Sequence, residues 1–247
     1  MDYIYKNKYV YFEKTGSGNP IILLHGWAAS STIFESITNI LKTKYTIYVI
    51  DLPGFGKSEE PDKPYNLDDY VDLLYQFIID LDIYNPILLG HSFGGRIAIK
   101  FASLYNVSKL ILVDSAGLKQ KNFIKTKTKI LLYKLKKKYY KITKNVIKYN
   151  DLLINSGSTD YKEASVIMKK ILVNVTNEYL DKHLKDITCD TLIIWGKKDD
   201  VTPYYNAIKL KKKIKNAGLV TLEGVGHFPF IESKKTFNKI LKSYLEV

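Results

Sequence analysis

The chain has 247 residues, 46% of them hydrophobic, and 38 Lys and Arg against 25 Asp and Glu give it a net charge of +13. That length and apolar content suit one large domain with an insertion and exclude a disordered chain. The single cysteine, Cys189, excludes an internal disulfide framework and a cysteine-based metal cluster.

The N-terminal stretch MDYIYKNKYVYFEK alternates tyrosine and valine with polar residues, the pattern of a hairpin turning at Asn7-Lys8. It holds no apolar run of signal-peptide length, and no later segment reaches the roughly 18 apolar residues of a membrane span. No transmembrane segment and a soluble, cytoplasmic protein are therefore expected. Near-continuous apolar runs follow at 20–26, 45–51, 86–90, 109–115 and 191–196. Such runs mark parallel strands buried on both faces. Between them, residues 66–81 open with an Asn N-cap candidate and place Leu67, Tyr70, Leu74, Phe77 and Ile78 on one helical face. The alternation predicts an α/β fold with a mostly parallel sheet.

From about Gly117 to Asp186 the strand pattern stops and helical periodicity takes over, as for a lid inserted across the carboxyl ends of the strands. Residues 119–148 hold twelve lysines and no carboxylate, nearly the whole net charge of the chain. Leu131, Leu135, Ile142, Val146 and Tyr149 fall at helical spacing within it, so an amphipathic helix is expected.

The chemistry concentrates at Gly90-His91-Ser92-Phe93-Gly94-Gly95, a G-x-S-x-G sequence after an apolar strand and before a helical pattern. A sharp strand-to-helix turn exposes a serine hydroxyl and points the next N–H toward developing negative charge. The alternative is a serine that merely caps a helix beside turn glycines. A serine nucleophile needs a base, and the chain has four histidines. His25 ends a strand, His91 adjoins the serine on a turn that aims it elsewhere, and His183 lies in a lid helix. His227, in the glycine-rich loop EGVGHFPFIE after a strand pattern, is the best placed. The acid that orients it is expected at Asp199, in the loop IIWGKKDDVTP, with Asp200 and Asp114 as competitors. Trp27, in LLHGWAAS, and Phe93 are the candidates for oxyanion N–H donors, with His25 bracing that loop. DLPGFGKS, 51–58, reads as structural support.

Together HGW, DLPGFGKSEEP, GHSFGG, WGKKDDVTP and GVGHFPFIE resemble the α/β-hydrolase superfamily, in the branch with a helical cap. The likeness runs from about residue 15 to the C-terminus and is weakest across the cap. It implies an α/β-hydrolase fold, with a mostly parallel sheet, helices on both faces and a helical cap inserted after the sixth strand. The corresponding division is 1–117 and 187–247 for the core and 118–186 for the cap. By resemblance Ser92 is the nucleophile, Asp199 the acid and His227 the base, with Trp27 and Phe93 supplying the oxyanion hole. Serine at position 92 argues against the branches that attack through an aspartate.

The leading expectation is a serine hydrolase acting on a small-molecule carboxylic ester or thioester, with Trp27, Phe34, Phe93 and Phe228 lining an apolar pocket. An alternative is a lyase or C–C hydrolase similar to the menaquinone-pathway lyase of this fold. It is motivated by Arg96, the only arginine of the chain, as a group for a substrate carboxylate; the competing reading pairs Arg96 with a buried carboxylate to brace the sheet. A third alternative is a non-enzymatic ligand-binding receptor. The lysine-rich cap is either a solvated face or a dock for an anionic partner: an acyl-carrier protein, a coenzyme A thioester or an anionic lipid surface. No metal or nucleotide motif occurs, so no cofactor is expected, and no nucleic-acid motif accompanies the charge.

Overall fold

The computed structural model describes residues 1–119, 123–145, 148 and 159–247. Its centre is an eight-stranded sheet in the order β1-β2-β4-β3-β5-β6-β7-β8. The first two strands, β1 (Asp2–Tyr5) and β2 (Lys8–Thr15), form an antiparallel hairpin. Its turn sits one residue earlier than expected. Lys6 and Asn7 take positive φ of 49° and 61°, the pairing that matches the right-handed twist of the flanking strands.

The other strands, β3 (Asn19–Leu24), β4 (Tyr45–Ile50), β5 (Ile87–His91), β6 (Lys109–Val113), β7 (Asp190–Gly196) and β8 (Ala217–Leu222), run parallel to one another. Their continuous apolar runs are explained by two covered faces. In β3 alone, Ile22 and Leu24 enter one core, and Ile21 and Leu23 enter the other. The first core is closed by three helices, α2 (Leu67–Asp80), α3 (Phe93–Leu104) and, past the cap, a helix over Tyr205–Lys213. The second lies under α1 (Glu35–Leu41) and the last helix, Lys234–Leu245. All five residues expected on the buried face of α2 are inside, and its start is fixed by a reciprocal capping box between Asn66 and Asp69. Each such large apolar side chain stabilises the fold by about 1.5–3 kcal/mol on burial.

Between β6 and β7 the described residues contain helices and no strand: α4 (Phe123–Ile142), α5 (Thr159–Glu163), α6 (Val166–Asn177) and a short 3-10 turn at Leu184–Asp186. This is the cap after the sixth strand. Helix α6 is well seated. Ser165 caps it by accepting from the Met168 N–H, and Met168, Ile171 and Val175 enter the first core beside Phe93 and Ile97. His183 is not helical as expected; it precedes the 3-10 turn, where its Nδ1 lies 3.1 Å from the Ser103 hydroxyl. Helix α4 forms as the periodicity predicts, although Val146 and Tyr149 lie outside the described residues. No helix among the described residues is long and apolar enough to cross a membrane.

The remaining helices are numbered α7 (Tyr205–Lys213), α8 (Pro229–Glu232) and α9 (Lys234–Leu245). The carboxyl ends of β5, β6 and β7, with the loop before α8, all open toward the cap.

Candidate active site

Ser92 joins β5 directly to α3 with φ 51° and ψ −109°. A non-glycine residue there carries backbone strain of about 1–3 kcal/mol and persists only where its surroundings over-determine it. Here they do. Its N–H donates to the Val113 carbonyl (3.1 Å), and its own carbonyl accepts from Ala116 (2.9 Å) and Arg96 (3.2 Å). The flanking glycines have a steric cause. A Cβ on Gly90 would stand 2.6 Å from the Gly95 Cα, and one on Gly94 would run into the Leu24 carbonyl.

Two N–H groups border the same space. Those of Trp27 and Phe93 make no hydrogen bond among the described residues, whereas Gly94, next in the helix, donates to the His25 carbonyl at 2.9 Å. His25 braces this loop as expected: Leu52 donates to its Nε2 (2.9 Å) and its Nδ1 lies 2.7 Å from the Gly26 carbonyl. With Nε2 accepting, the ring is neutral with its proton on Nδ1, and burial pushes its pKa down to about 4.

His227, in the loop before α8, places Nδ1 2.8 Å from Asp199 Oδ2. Asp199 is buried, and three further donors hold it: the N–H groups of Val201 (2.8 Å) and Thr202 (2.9 Å) on Oδ1 and the Thr202 hydroxyl (2.5 Å) on Oδ2. Burial alone would raise its pKa. The hydrogen bonds from His227 and Thr202 outweigh that, and the carboxyl sits below its ordinary value. Asp200, its neighbour, is exposed.

Asp114, the other competitor, is fully buried at the end of β6. It accepts from the Gly196 N–H at 3.0 Å on Oδ1, while Oδ2 has no hydrogen-bond partner among the described residues. Burial and the neighbouring Asp199 carboxylate push its pKa up to about 10, so it is neutral at pH 7. Only Asp199 is both ionised and in contact with the His227 imidazole.

Ser92, His227, Trp27, Phe93, Arg96 and Phe228 share one cavity of about 780 Å³. Leu172 and Val175 of α6 help to line it. Ser92 Oγ makes no hydrogen bond to His227; such contacts are often loose in unliganded sites and tighten around substrate. Phe34 does not belong to the lining. It closes a 3-10 turn (Ser31–Phe34) that drives it into the second core against Phe230, with ring centroids 5.6 Å apart.

Two contributors escaped the sequence analysis. His91 lies under the His227 loop, with Nε2 2.8 Å from the His227 carbonyl, and burial pushes its pKa down to about 3. A neutral His91 therefore donates to that carbonyl and fixes the loop from below. Thr202 bridges loops, its hydroxyl 2.9 Å from the Asp114 carbonyl as well as on Asp199. Nothing in local sequence marks either role. Arg96, expected against a buried carboxylate or a ligand, has no carboxylate partner among the described residues: Nη1 donates to the Glu178 carbonyl at 2.5 Å, and Lys100 instead takes the carboxylates of Asp68 (2.6 Å) and Glu178 (2.5 Å). In the support loop, Asp51 accepts from the Ser31 and Lys57 N–H groups, the structural role read from DLPGFGKS.

The model of the alpha/beta hydrolase family matches residues 21–240. The chain belongs to that family. Among its relatives, AB hydrolase superfamily protein YisY of Bacillus subtilis is 29% identical, over 95% of this chain and 94% of the relative. Lipase 1 of Psychrobacter immobilis is 28% identical, over 96% and 82%. The solved structure of an esterase from Exiguobacterium antarcticum superposes with a TM-score of 0.74 at 28% identity, covering 97% of this chain and 96% of the esterase. Both the lipase and the esterase are named as hydrolytic enzymes.

Proposed function

We propose that the protein is a serine hydrolase that cleaves a carboxylic ester or thioester. One observation carries the reading: the strained Ser92 turn opens into the same cavity as the His227–Asp199 pair. With His227 Nδ1–H donating to the Asp199 carboxylate, Nε2 carries a free lone pair and serves as the base. Ser92 Oγ attacks the acyl carbon as its proton passes to Nε2. The oxyanion accepts from the N–H groups of Trp27 and Phe93, donors each worth about 10²–10³ in rate in such sites. Collapse breaks the bond to the alcohol or thiol, which leaves with the proton from His227. Water then repeats the sequence, releasing the acid and restoring Ser92. Asp199 holds the productive tautomer and stabilises the imidazolium. Trp27, Phe93, Phe228 and the cap residues Leu172 and Val175 supply an apolar wall suited to an acyl chain.

The test is a fluorophosphonate probe together with nitrophenyl esters and thioesters of graded acyl length. Stoichiometric labelling that disappears in Ser92→Ala, alongside ester turnover, supports the reading; an unlabelled, correctly folded wild-type protein overturns it.

Arg96 favours a second reading, a lyase or C–C hydrolase whose substrate bears a carboxylate. It is a buried guanidinium in the cavity wall with a single backbone acceptor among the described residues. Arg96→Met separates the two: a carboxylate-binding role raises KM for an acidic substrate and leaves a neutral ester unaffected.

A further inference from the structure

An ordinary surface helix turns its apolar stripe inward. Helix α4 does the opposite. Leu131, Leu132, Leu135, Tyr139 and Ile142 are all more than half exposed, from 52% to 69%. At about 100° of rotation per residue these five fall within an arc of about 100°. Tyr133, Lys137 and Tyr140, on the other side of the helix, are the half-buried ones. Lys134, Lys136, Lys138 and Lys141 are exposed outside the apolar arc, and no carboxylate interrupts the segment 119–148. A 20-residue helix spans about 30 Å.

We propose that α4 docks the protein on an anionic lipid surface, its leucine–isoleucine stripe sunk into the headgroup–acyl boundary and its lysines against lipid phosphates. The apolar arc runs three turns without a hydrogen-bonding residue other than the Tyr139 hydroxyl, which suits a fluid apolar layer better than a directional protein interface. Lysine ammonium groups ring the remaining sides and reach outward on long stems, in the manner of side chains that snorkel toward phosphates. Arginine, the residue of bidentate carboxylate recognition, is absent from the segment. Pairing with a second copy through this helix would bring together two lysine-rich segments that hold no carboxylate. The proposal stands on the helix alone and does not depend on the ester chemistry.

The experiment is flotation of the full chain with two kinds of vesicle, pure phosphatidylcholine and phosphatidylcholine containing roughly one third phosphatidylglycerol. The expected result is partitioning on the anionic vesicles at least about tenfold above the neutral ones at about 0.05 M salt, with loss of that preference at about 0.5 M. Leu131→Ser/Leu135→Ser/Ile142→Ser should weaken that partitioning at least about tenfold, with an unchanged melting curve because all three side chains are exposed. Lys134→Gln/Lys138→Gln/Lys141→Gln, which leaves the apolar stripe intact, should reduce it as well. Three results overturn the proposal. One is equal partitioning on both vesicles, or none on either, the latter leaving an acidic protein as the occupant. Another is binding that both triple variants retain in full. The last is a dimer in the absence of lipid that the serine variant dissociates.

Discussion

The two halves of the cap are built from similar helical material and meet the molecule in opposite ways. Helix α6 buries Met168, Ile171 and Val175 in the core that carries Phe93, and is pinned by Ser165 to Glu60 and by Asn174 to the Tyr65 carbonyl. Helix α4 leaves its apolar stripe in solvent, in a segment that carries lysines and no carboxylate. The difference teaches that amphipathic periodicity shows that a helix has two faces and does not say which one the fold will cover. It also separates them at the cavity: Leu172 and Val175 of α6 line it, and no described side chain of α4 does.

Substitutions along and beneath that divide should have very different effects. The largest lies at the rim that α6 roofs. Asp199→Asn should lower kcat about 10⁴-fold, the cost of the wrong imidazole tautomer in triads of this kind. Asp114→Asn, isosteric with a neutral acid, should stay within a few-fold of wild type; steady-state turnover of one ester by both variants decides which carboxylate faces the base. Next comes the buried half of the cap, where Ile171→Ala should cost about 2–5 kcal/mol in denaturant unfolding through the cavity it leaves. The exposed half should barely respond: Leu135→Ala should change stability by no more than about 0.5 kcal/mol.

A smaller effect is visible in pH dependence. Asp199, held below its ordinary pKa, contributes stability that is present above the unfolded value of about 3.9 and is lost as pH falls through the folded value. Asp114 is the reverse case. Its contribution is full below about 3.9 and is lost as pH rises toward its folded value of about 10. Melting temperatures measured from about pH 5 to about pH 9 should therefore shift in favour of Asp114→Asn relative to wild type as pH rises.

The sheet was legible because strands covered on both faces leave continuous apolar runs, and the Ser92 turn because close backbone approach permits glycine alone at positions 90 and 94. What stayed hidden depends on distant partners. His91 reaches the loop of His227 across 136 positions, and Lys100 takes Glu178 across 78; no local pattern records either. Phe34 misled through proximity, since a place just after HGW puts it beside the site in sequence while the 3-10 turn carries it into the opposite core. The hairpin was off by one residue because Lys6, with a Cβ and no side-chain preference for the left-handed region, shares the turn with Asn7.

Helix α3 begins at the residue after Ser92, and from its first two turns Arg96 and Lys100 grip Glu178, where the cap chain leaves α6. The roof and the Ser92 turn thus hang from one rod. On the proposed chemistry, a guest too bulky for the chamber would lever the ceiling against that rod and disturb the aim of the hydroxyl in the act of entering. Selection by size would then reside in the same helix that presents Ser92.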